Sequence, residues 1–342
     1  MNIKRRSFLT ALLAMGIASM LTASMAAPDP FAATNLAAGT TAKPVAPLEN
    51  STTRKMPSHQ SSNGLERYDF FYAGEAMEEK MFIVRDGKIA WTYTHDGKGE
   101  ISDAILEANG KILFAHQFGI AEVNLDKQVI WQHAAPPHTE IHTAGNYSSN
   151  SVWFVQNGNP AKFIIINKST GQTETEFVLP VRDPKGTHGQ FRNASLTAVG
   201  TLLVAHMDLG KVAEYDLTGK LLWALPVPGI WSARQLPGGN ILVVSNQKFI
   251  RELNRQGDII WEWTPKDTPE YKISNLQRAW RLPNGNTLLN NWFNQWNGKL
   301  VLATAEVQAM EITPEKKVVW TLRSWEEPVD LGPATTIQIL PR

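Results

Sequence analysis

The chain of 342 residues contains no cysteine, which excludes disulfide scaffolds, thiolate nucleophiles and cysteine-based zinc or iron–sulfur sites. An excess of charge is also absent, because 33 basic and 32 acidic residues leave a formal net charge of +1. With no basic stripe in the sequence, a nucleic-acid partner held by phosphate neutralisation is not expected. There is no Gly-x-Ser-x-Gly elbow and no phosphate-cradling glycine-rich loop, so serine-hydrolase and P-loop chemistry have no support.

Residues 1–26 have the pattern of an export signal. A basic start precedes a mildly apolar run, and Ser24-Met25-Ala26 predicts cleavage before Ala27. The pair Arg5-Arg6 resembles a twin-arginine signal, with Lys4 standing where that signal usually has Ser or Thr. We therefore expect a periplasmic or secreted protein that contacts a membrane only during export, the alternative being an uncleaved N-terminal anchor.

Residues 27–66 contain several prolines, many small or polar residues and no apolar periodicity. This composition is typical of a flexible linker. The folded domain is expected to span residues 67–342.

A repeat runs through the expected domain. Five segments consist of a turn, a short apolar strand and a tryptophan, and four of the five have a glutamate nine residues before the tryptophan. The tryptophans are Trp91, Trp131, Trp223, Trp261 and Trp320, and the glutamates are Glu122, Glu214, Glu252 and Glu311. A second recurring pattern is an alanine six residues before a tight Gly or Asn turn, at Ala104, Ala144, Ala194, Ala233 and Ala279.

The two patterns together predict four short strands in each repeat unit, and the units recur about every 40–45 residues. This arrangement is the signature of a β-propeller blade. Units begin near residues 99, 139, 187, 229 and 275. Residues 69–97 lack an opening strand, whereas the C-terminal residues 336–341 resemble an opening strand that nothing follows. We therefore predict an all-β, six-bladed propeller whose N-terminal blade is closed by the C-terminal strand.

The segment Asp216-Leu217-Thr218-Gly219-Lys220-Leu221-Leu222-Trp223 is similar to the repeat motif of the PQQ-like (quinoprotein-type) propellers, one residue shorter between Asp and Gly. In that family the tryptophan packs between blades, and most members bind no quinone. Leu282-Pro283-Asn284-Gly285-Asn286 and Leu236-Pro237-Gly238-Gly239-Asn240 also resemble the six-bladed arylsulfotransferases. The resemblance covers nearly all of residues 69–342. It specifies the fold and leaves the activity open.

Function is expected where the repeats differ, at the channel mouth near the start of each innermost strand. In the few residues before the repeated alanine, polar and apolar positions alternate, as in a strand with one face against a neighbouring blade. Four residues before it lie Glu100, Glu140, Gln190, Gly229 and Asn275, and two residues before it lie Ser102, His142, Arg192, Trp231 and Gln277.

His142, His188 and Arg192 are the predicted catalytic residues, because histidine and arginine suit acid–base work and oxyanion stabilisation near neutral pH. The predicted substrate-binding residues are Glu100, Glu140, Gln190, Trp231, Arg234, Gln277 and Arg278. This mixture favours a small hydroxyl-rich or anionic ligand such as a glycan.

Several alternatives stay open. The arylsulfotransferase resemblance implies sulfuryl transfer, with His142 or His188 as the nucleophile. A divalent metal could bind to His138, His142, Glu140 or His188, although a straight strand would hold the first two too far apart. A wet channel of mutually bonded polar groups, or a scaffold for a protein partner, would need no ligand. No cofactor is predicted, and the resemblance does not favour PQQ itself, since the chain is short and has no cysteine.

Overall fold

The structure, a computed structural model, describes residues 63–75, 79–293, 306–326 and 328–341. The predicted signal peptide and residues 27–62 of the predicted linker lie outside these residues. Residues 63–66 already contact the propeller, because Leu65 is buried in the core and the Gly64 carbonyl accepts a hydrogen bond from Trp320 Nε1. Residues before position 67, the expected start of the folded domain, therefore also pack against the propeller.

Six four-stranded antiparallel sheets form the ring, as predicted. Blade A consists of β26 (Ala334–Ile339), β1 (Phe70–Glu75), β2 (Glu79–Arg85) and β3 (Lys88–Thr94). Blade B consists of β4 (Asp103–Leu106), β5 (Ile112–Ala115), β6 (Gly119–Val123) and β7 (Val129–Ala134). Blade C consists of β8 (Glu140–Asn146), β9 (Ser151–Asn157), β10 (Ala161–Asn167) and β11 (Thr173–Leu179).

Blade D consists of β12 (Phe191–Leu196), β13 (Leu202–His206), β14 (Lys211–Tyr215) and β15 (Leu221–Pro226). Blade E consists of β16 (Ile230–Gln235), β17 (Ile241–Ser245), β18 (Phe249–Leu253) and β19 (Ile259–Trp263). Blade F consists of β20 (Asn275–Arg281), β21 (Thr287–Trp292), β22 (Ala309–Ile312) and β23 (Val318–Leu322). A small hairpin of β24 (Trp325–Glu326) and β25 (Val329–Asp330) leads back to blade A.

Helix is nearly absent from the described part of the chain, where the two helices are the single 3-10 turns Thr187–Gly189 and Pro265–Asp267. Neither turn has the length or apolarity that a membrane span would require.

The C-terminal strand closes the ring. β26 pairs antiparallel with β1, from Phe70 opposite Ile339 to Gly74 opposite Ala334. This pairing removes the free edge that β1 would otherwise present. It also completes a core cluster that combines residues of β1, β22 and β23 with Ala334 and Ile337.

The repeated Glu and Trp join neighbouring blades. Each such Glu lies directly opposite its Trp across the two outer strands, as Glu214 does opposite Trp223. From there Glu214 binds Arg255 of the next blade, and Trp223 Nε1 donates to the Arg255 carbonyl at 2.8 Å. The same contact to a turn carbonyl recurs for Trp91, Trp261 and Trp320. The packing role expected for these tryptophans is therefore observed.

Candidate functional site

The innermost strands depart from the regular alternation expected from the sequence. In blades C, D and E the pairing with the second strand skips one residue, which is His142, Arg192 and Trp231 respectively. Blade F shows the same irregularity between Leu276 and Ala279, and blade A skips Thr335. A β-bulge re-aims the side chain of the extra residue. The bulges bring these side chains, with Ser102 of blade B, together at the centre of the ring.

Four side chains from three blades converge at this level, and we call them the channel-mouth cluster: Glu100, His142, His188 and Arg192. The Nδ1 atom of His142 lies 3.2 Å from Glu100 Oε1 and 3.2 Å from Arg192 Nη1. Arg192 also bonds to Glu100 Oε1 and to Nε2 of His188. Ser102 Oγ joins the cluster at 2.8 Å from His142 Nδ1. Glu100 and the three predicted catalytic residues are thus brought together here.

Glu140 contacts both histidine rings at the nitrogens that lie opposite those facing Arg192. Its Oε2 atom lies 2.7 Å from Nε2 of His142 and 2.8 Å from Nδ1 of His188, and its Oε1 accepts from Gln117 Nε2 at 3.0 Å. Burial by itself raises the pKa of the Glu140 carboxyl, but these hydrogen bonds outweigh burial and hold the pKa well below its usual range. The carboxylate is therefore ionised and acts only as an acceptor.

This carboxylate fixes the tautomers of the two rings. Because Glu140 only accepts, Nε2 of His142 and Nδ1 of His188 carry the protons that face it. In the neutral form of each ring, the opposite nitrogen presents a lone pair to Arg192, whose guanidinium has donors only. His142 Nδ1, His188 Nε2 and Glu100 Oε1 are consequently three preorganised donor atoms.

Access to the cluster is uneven. The His188 side chain is 51% exposed, those of Glu100 and Glu140 are 16% exposed, and His142 is fully buried. An incoming molecule therefore meets His188 first. The carboxylates of Glu100 and Glu140 and the guanidinium of Arg192 carry a combined charge of −1, which favours a cation over an anion.

The donor geometry fits a metal ion. Ligand atoms from Glu100, His142 and His188 all lie within 4.8 Å of one another. Two imidazole nitrogens and one carboxylate oxygen form a donor set used for divalent transition metals. The set differs from the one considered from sequence, because His138 is an exposed loop residue outside it and Glu140 stands behind the histidines.

The other predicted ligand-binding residues are placed differently. Trp231 stacks on Arg192, whose Cζ atom lies 5.8 Å from the ring centroid, and Gln277 lines a central space of about 10 Å³. Gln190 is fully buried and uses its amide to hold the backbone of Gly158 and Asp183, so it is not free to bind a ligand. That assignment from sequence is corrected here, because the residue is a structural tie.

The predicted arginines do not form one site. Arg278 bonds to Asp103 and to the Ser102 carbonyl, and Arg234 and Arg278 both line a separate cavity beyond the central ring, away from Arg192. Sequence analysis also missed Gln117 and Asp103. Gln117 sits in a loop with φ +62° and has no counterpart in the repeat, so no sequence signal pointed to it.

Comparisons with known proteins establish the fold alone. No protein-family model matches the chain, and no curated protein matches it in sequence. A solved protein of unknown function from Bacteroides caccae is 24% identical, with a TM-score of 0.68 over 79% of this chain and 97% of that one.

Two solved lyases share the architecture. A streptogramin B lyase is 15% identical, with a TM-score of 0.50 over 78% of this chain and 86% of that one. A catalytically inactive histidine-to-alanine variant of virginiamycin B lyase from Staphylococcus aureus, with quinupristin, is 14% identical, with a TM-score of 0.51 over 75% of this chain and 85% of that one.

Proposed function

We propose that the protein binds a divalent transition-metal ion through Glu100, His142 and His188, and through that ion a small anionic or hydroxyl-rich ligand. The observation that carries the proposal is the convergence of three donor atoms within 4.8 Å while Glu140 holds both histidine rings. A carboxylate behind the ligating histidines orients the rings and increases their basicity.

The net charge of the site is the reason for proposing a metal ion together with the ligand. Without a cation, Glu100, Glu140 and Arg192 together carry a net negative charge, and Arg192 is already bonded to Glu100. A divalent cation would reverse the sign of the net charge and compete with Arg192 for the same three donor atoms. The released guanidinium, beside Trp231, could then pair with the anionic or hydroxyl group of the ligand.

Metal titration of the full chain tests this proposal. After treatment with a chelator, Mn²⁺ and Zn²⁺ binding is measured by calorimetry for the parent and for His188→Ala and Glu100→Gln. Each variant should lose about 10- to 100-fold in affinity, whereas His138→Ala, an exposed histidine of the same face, should bind as the parent does. Absence of binding, or equal binding by His188→Ala, would rule out the site.

Thermal unfolding with the metal present then tests for the ligand. Glycans, aryl sulfates and small carboxylates are added in turn, and a ligand at 100 times its dissociation constant adds about 2.7 kcal/mol. A shift that needs the metal supports the proposal. No shift with any compound would favour the alternative of a protein-interaction scaffold.

A metal-free group-transfer enzyme is the second candidate, and one observation favours it. The half-exposed His188 ring has its Nδ1 atom held by a carboxylate, which leaves Nε2 as a base or nucleophile, as sulfuryl transfer of the arylsulfotransferase kind would require. Incubation with 4-nitrophenyl sulfate should then release nitrophenol in the presence of chelator and leave a sulfated histidine detectable by mass spectrometry. Release that depends on added metal would contradict this candidate.

Export remains a proposal from the sequence. The pair Arg5-Arg6 predicts twin-arginine export and a periplasmic or secreted location. Replacing both residues by lysine should retain the full chain in the cytoplasm, which fractionation of expressing bacteria would show. Unchanged export of that variant would point to another route.

A further inference from the structure

A second cavity opens at the other end of the channel, where the innermost strands end. Its volume is about 870 Å³, within the range of small-molecule sites. The central ring of Ser102, Arg192, Trp231, Gln277 and Thr335 leaves only about 10 Å³ between it and the channel-mouth cluster. That space holds about one water molecule, so the central ring is a narrow part of the channel between its two ends.

One position in each blade contributes a residue to the wall of this lower cavity. The residue directly after the repeated alanine, or its equivalent in blade A, lines the cavity in all six blades: Ile105, Gly145, Ser195, Arg234, Trp280 and Gln338. Because every blade contributes a different side chain at this position, the cavity is asymmetric. It has apolar side chains at Ile105 and Trp280 and a cationic side chain at Arg234.

Arg234 is the distinctive charge in the cavity. Arg278 is bonded to Asp103, and Arg281 is bonded to Glu252, so these two guanidinium groups are compensated. Within the part of the chain that the structure describes, no carboxylate lies within ion-pair distance of Arg234. Arg234 is an exposed residue that lines the cavity.

We propose that the lower cavity binds an organic anion, with an apolar, ring-sized body against Ile105 and Trp280 and one oxyanion group bonded to Arg234. A guanidinium pairs with a carboxylate, sulfate or phosphate oxygen through charge-assisted hydrogen bonds. A neutral ligand would leave the Arg234 charge without compensation, and an inorganic anion would leave the apolar wall uncovered. This site is independent of the metal site proposed above.

Calorimetry with 2-naphthoate on the full chain tests the assignment. Arg234→Gln should weaken binding about tenfold or more, and the neutral analogue 2-naphthylmethanol should bind the parent at least tenfold more weakly than naphthoate does. Arg192→Gln shows whether naphthoate binds at the channel-mouth cluster instead, and Lys162→Gln, which removes a surface charge of blade C, should leave naphthoate binding unchanged. Ser195→Phe, which puts a phenyl ring into the cavity next to the strand of Arg234 and keeps the Arg234 charge, should weaken binding.

Three outcomes would overturn the proposal. They are the absence of naphthoate binding to the parent, equal binding by Arg234→Gln, and loss of binding in Arg192→Gln instead. Inorganic phosphate binding as tightly as naphthoate would remove the organic part of the assignment. Metal titration of His188→Ala reports on the channel-mouth cluster alone, so failure of one proposal is distinguishable from failure of the other.

Discussion

Glu140 and His142 are two residues apart on one strand, yet Oε2 of the first lies 2.7 Å from Nε2 of the second. In a regular strand two such side chains stand side by side on one face. The bulge at His142 changes that direction and turns the ring so that one nitrogen meets Glu140 and the other meets Glu100. The same glutamate also holds His188, which comes from the loop before blade D.

Replacing Glu140 by glutamine should therefore weaken metal binding without unfolding the protein. Glutamine keeps one oxygen for the two histidines but loses the charge, and its NH2 group would stand where Oε1 now accepts from Gln117 Nε2, so both rings are held less firmly. We expect an affinity loss of about 10- to 100-fold, measured by Mn²⁺ titration. Glu176→Gln, which removes a surface carboxylate of the same blade, should have no effect. Equal losses in both variants would contradict a positioning role.

The carboxyl of Glu79 should make the protein less stable as the pH rises. Burial raises its pKa to about 7, against the hydrogen bond from the Ile101 amide. Since the folded state then binds the proton more tightly than the unfolded state, stability falls between about pH 4.5 and 7. Glu79→Gln should remove this contribution, worth about 3 kcal/mol at most. Urea unfolding at pH 5 and pH 8 measures it, and parallel curves for parent and variant would refute it.

The imidazole of His116 should make the protein less stable as the pH falls, which is opposite to the effect of Glu79. Burial first, and then repulsion from His95, lower its pKa to about 4, with a backbone hydrogen bond opposing both. The unfolded state binds this proton more readily, so stability is lost as the pH falls from about 6.5 to about 4. His116→Leu should lose less stability over this range than the parent does. The same urea measurements at pH 7 and pH 4.5 provide the check, and an unchanged acid loss would exclude His116 as its source.

Deleting residues 334–342 should prevent cooperative folding of the propeller. The deletion removes β26, exposes the edge of β1 and uncovers core residues such as Tyr72 and Phe70. We expect an aggregated protein, or one whose thermal transition is broad and much lower. Arg85→Ala, which breaks contacts to Asp69 and the Pro341 carbonyl but leaves β26 paired, should cost no more than about 1 kcal/mol. A truncated chain as stable as the parent would mean that closure is not required.

The sequence alone determined the architecture. The turn, the short apolar strand and the tryptophan recur because each blade needs the same hairpin and the same contact with its neighbour, as Trp223 shows with the Arg255 carbonyl. Closure by the C-terminal strand was also predictable, because residues 336–341 repeat an opening strand without its successors. A local pattern that recurs in every blade allows each blade to be predicted from the sequence of its own repeat unit.

Only the tertiary structure decided how the site is built. Strict alternation could not reveal the bulges that aim His142 and Arg192 to the centre, because a bulge depends on pairing with the next strand. Nor could it separate Arg192 from Arg234, which line different spaces of the channel. Donor atoms from three blades meet through ring closure, and distances across a closed ring are set by all six blades together.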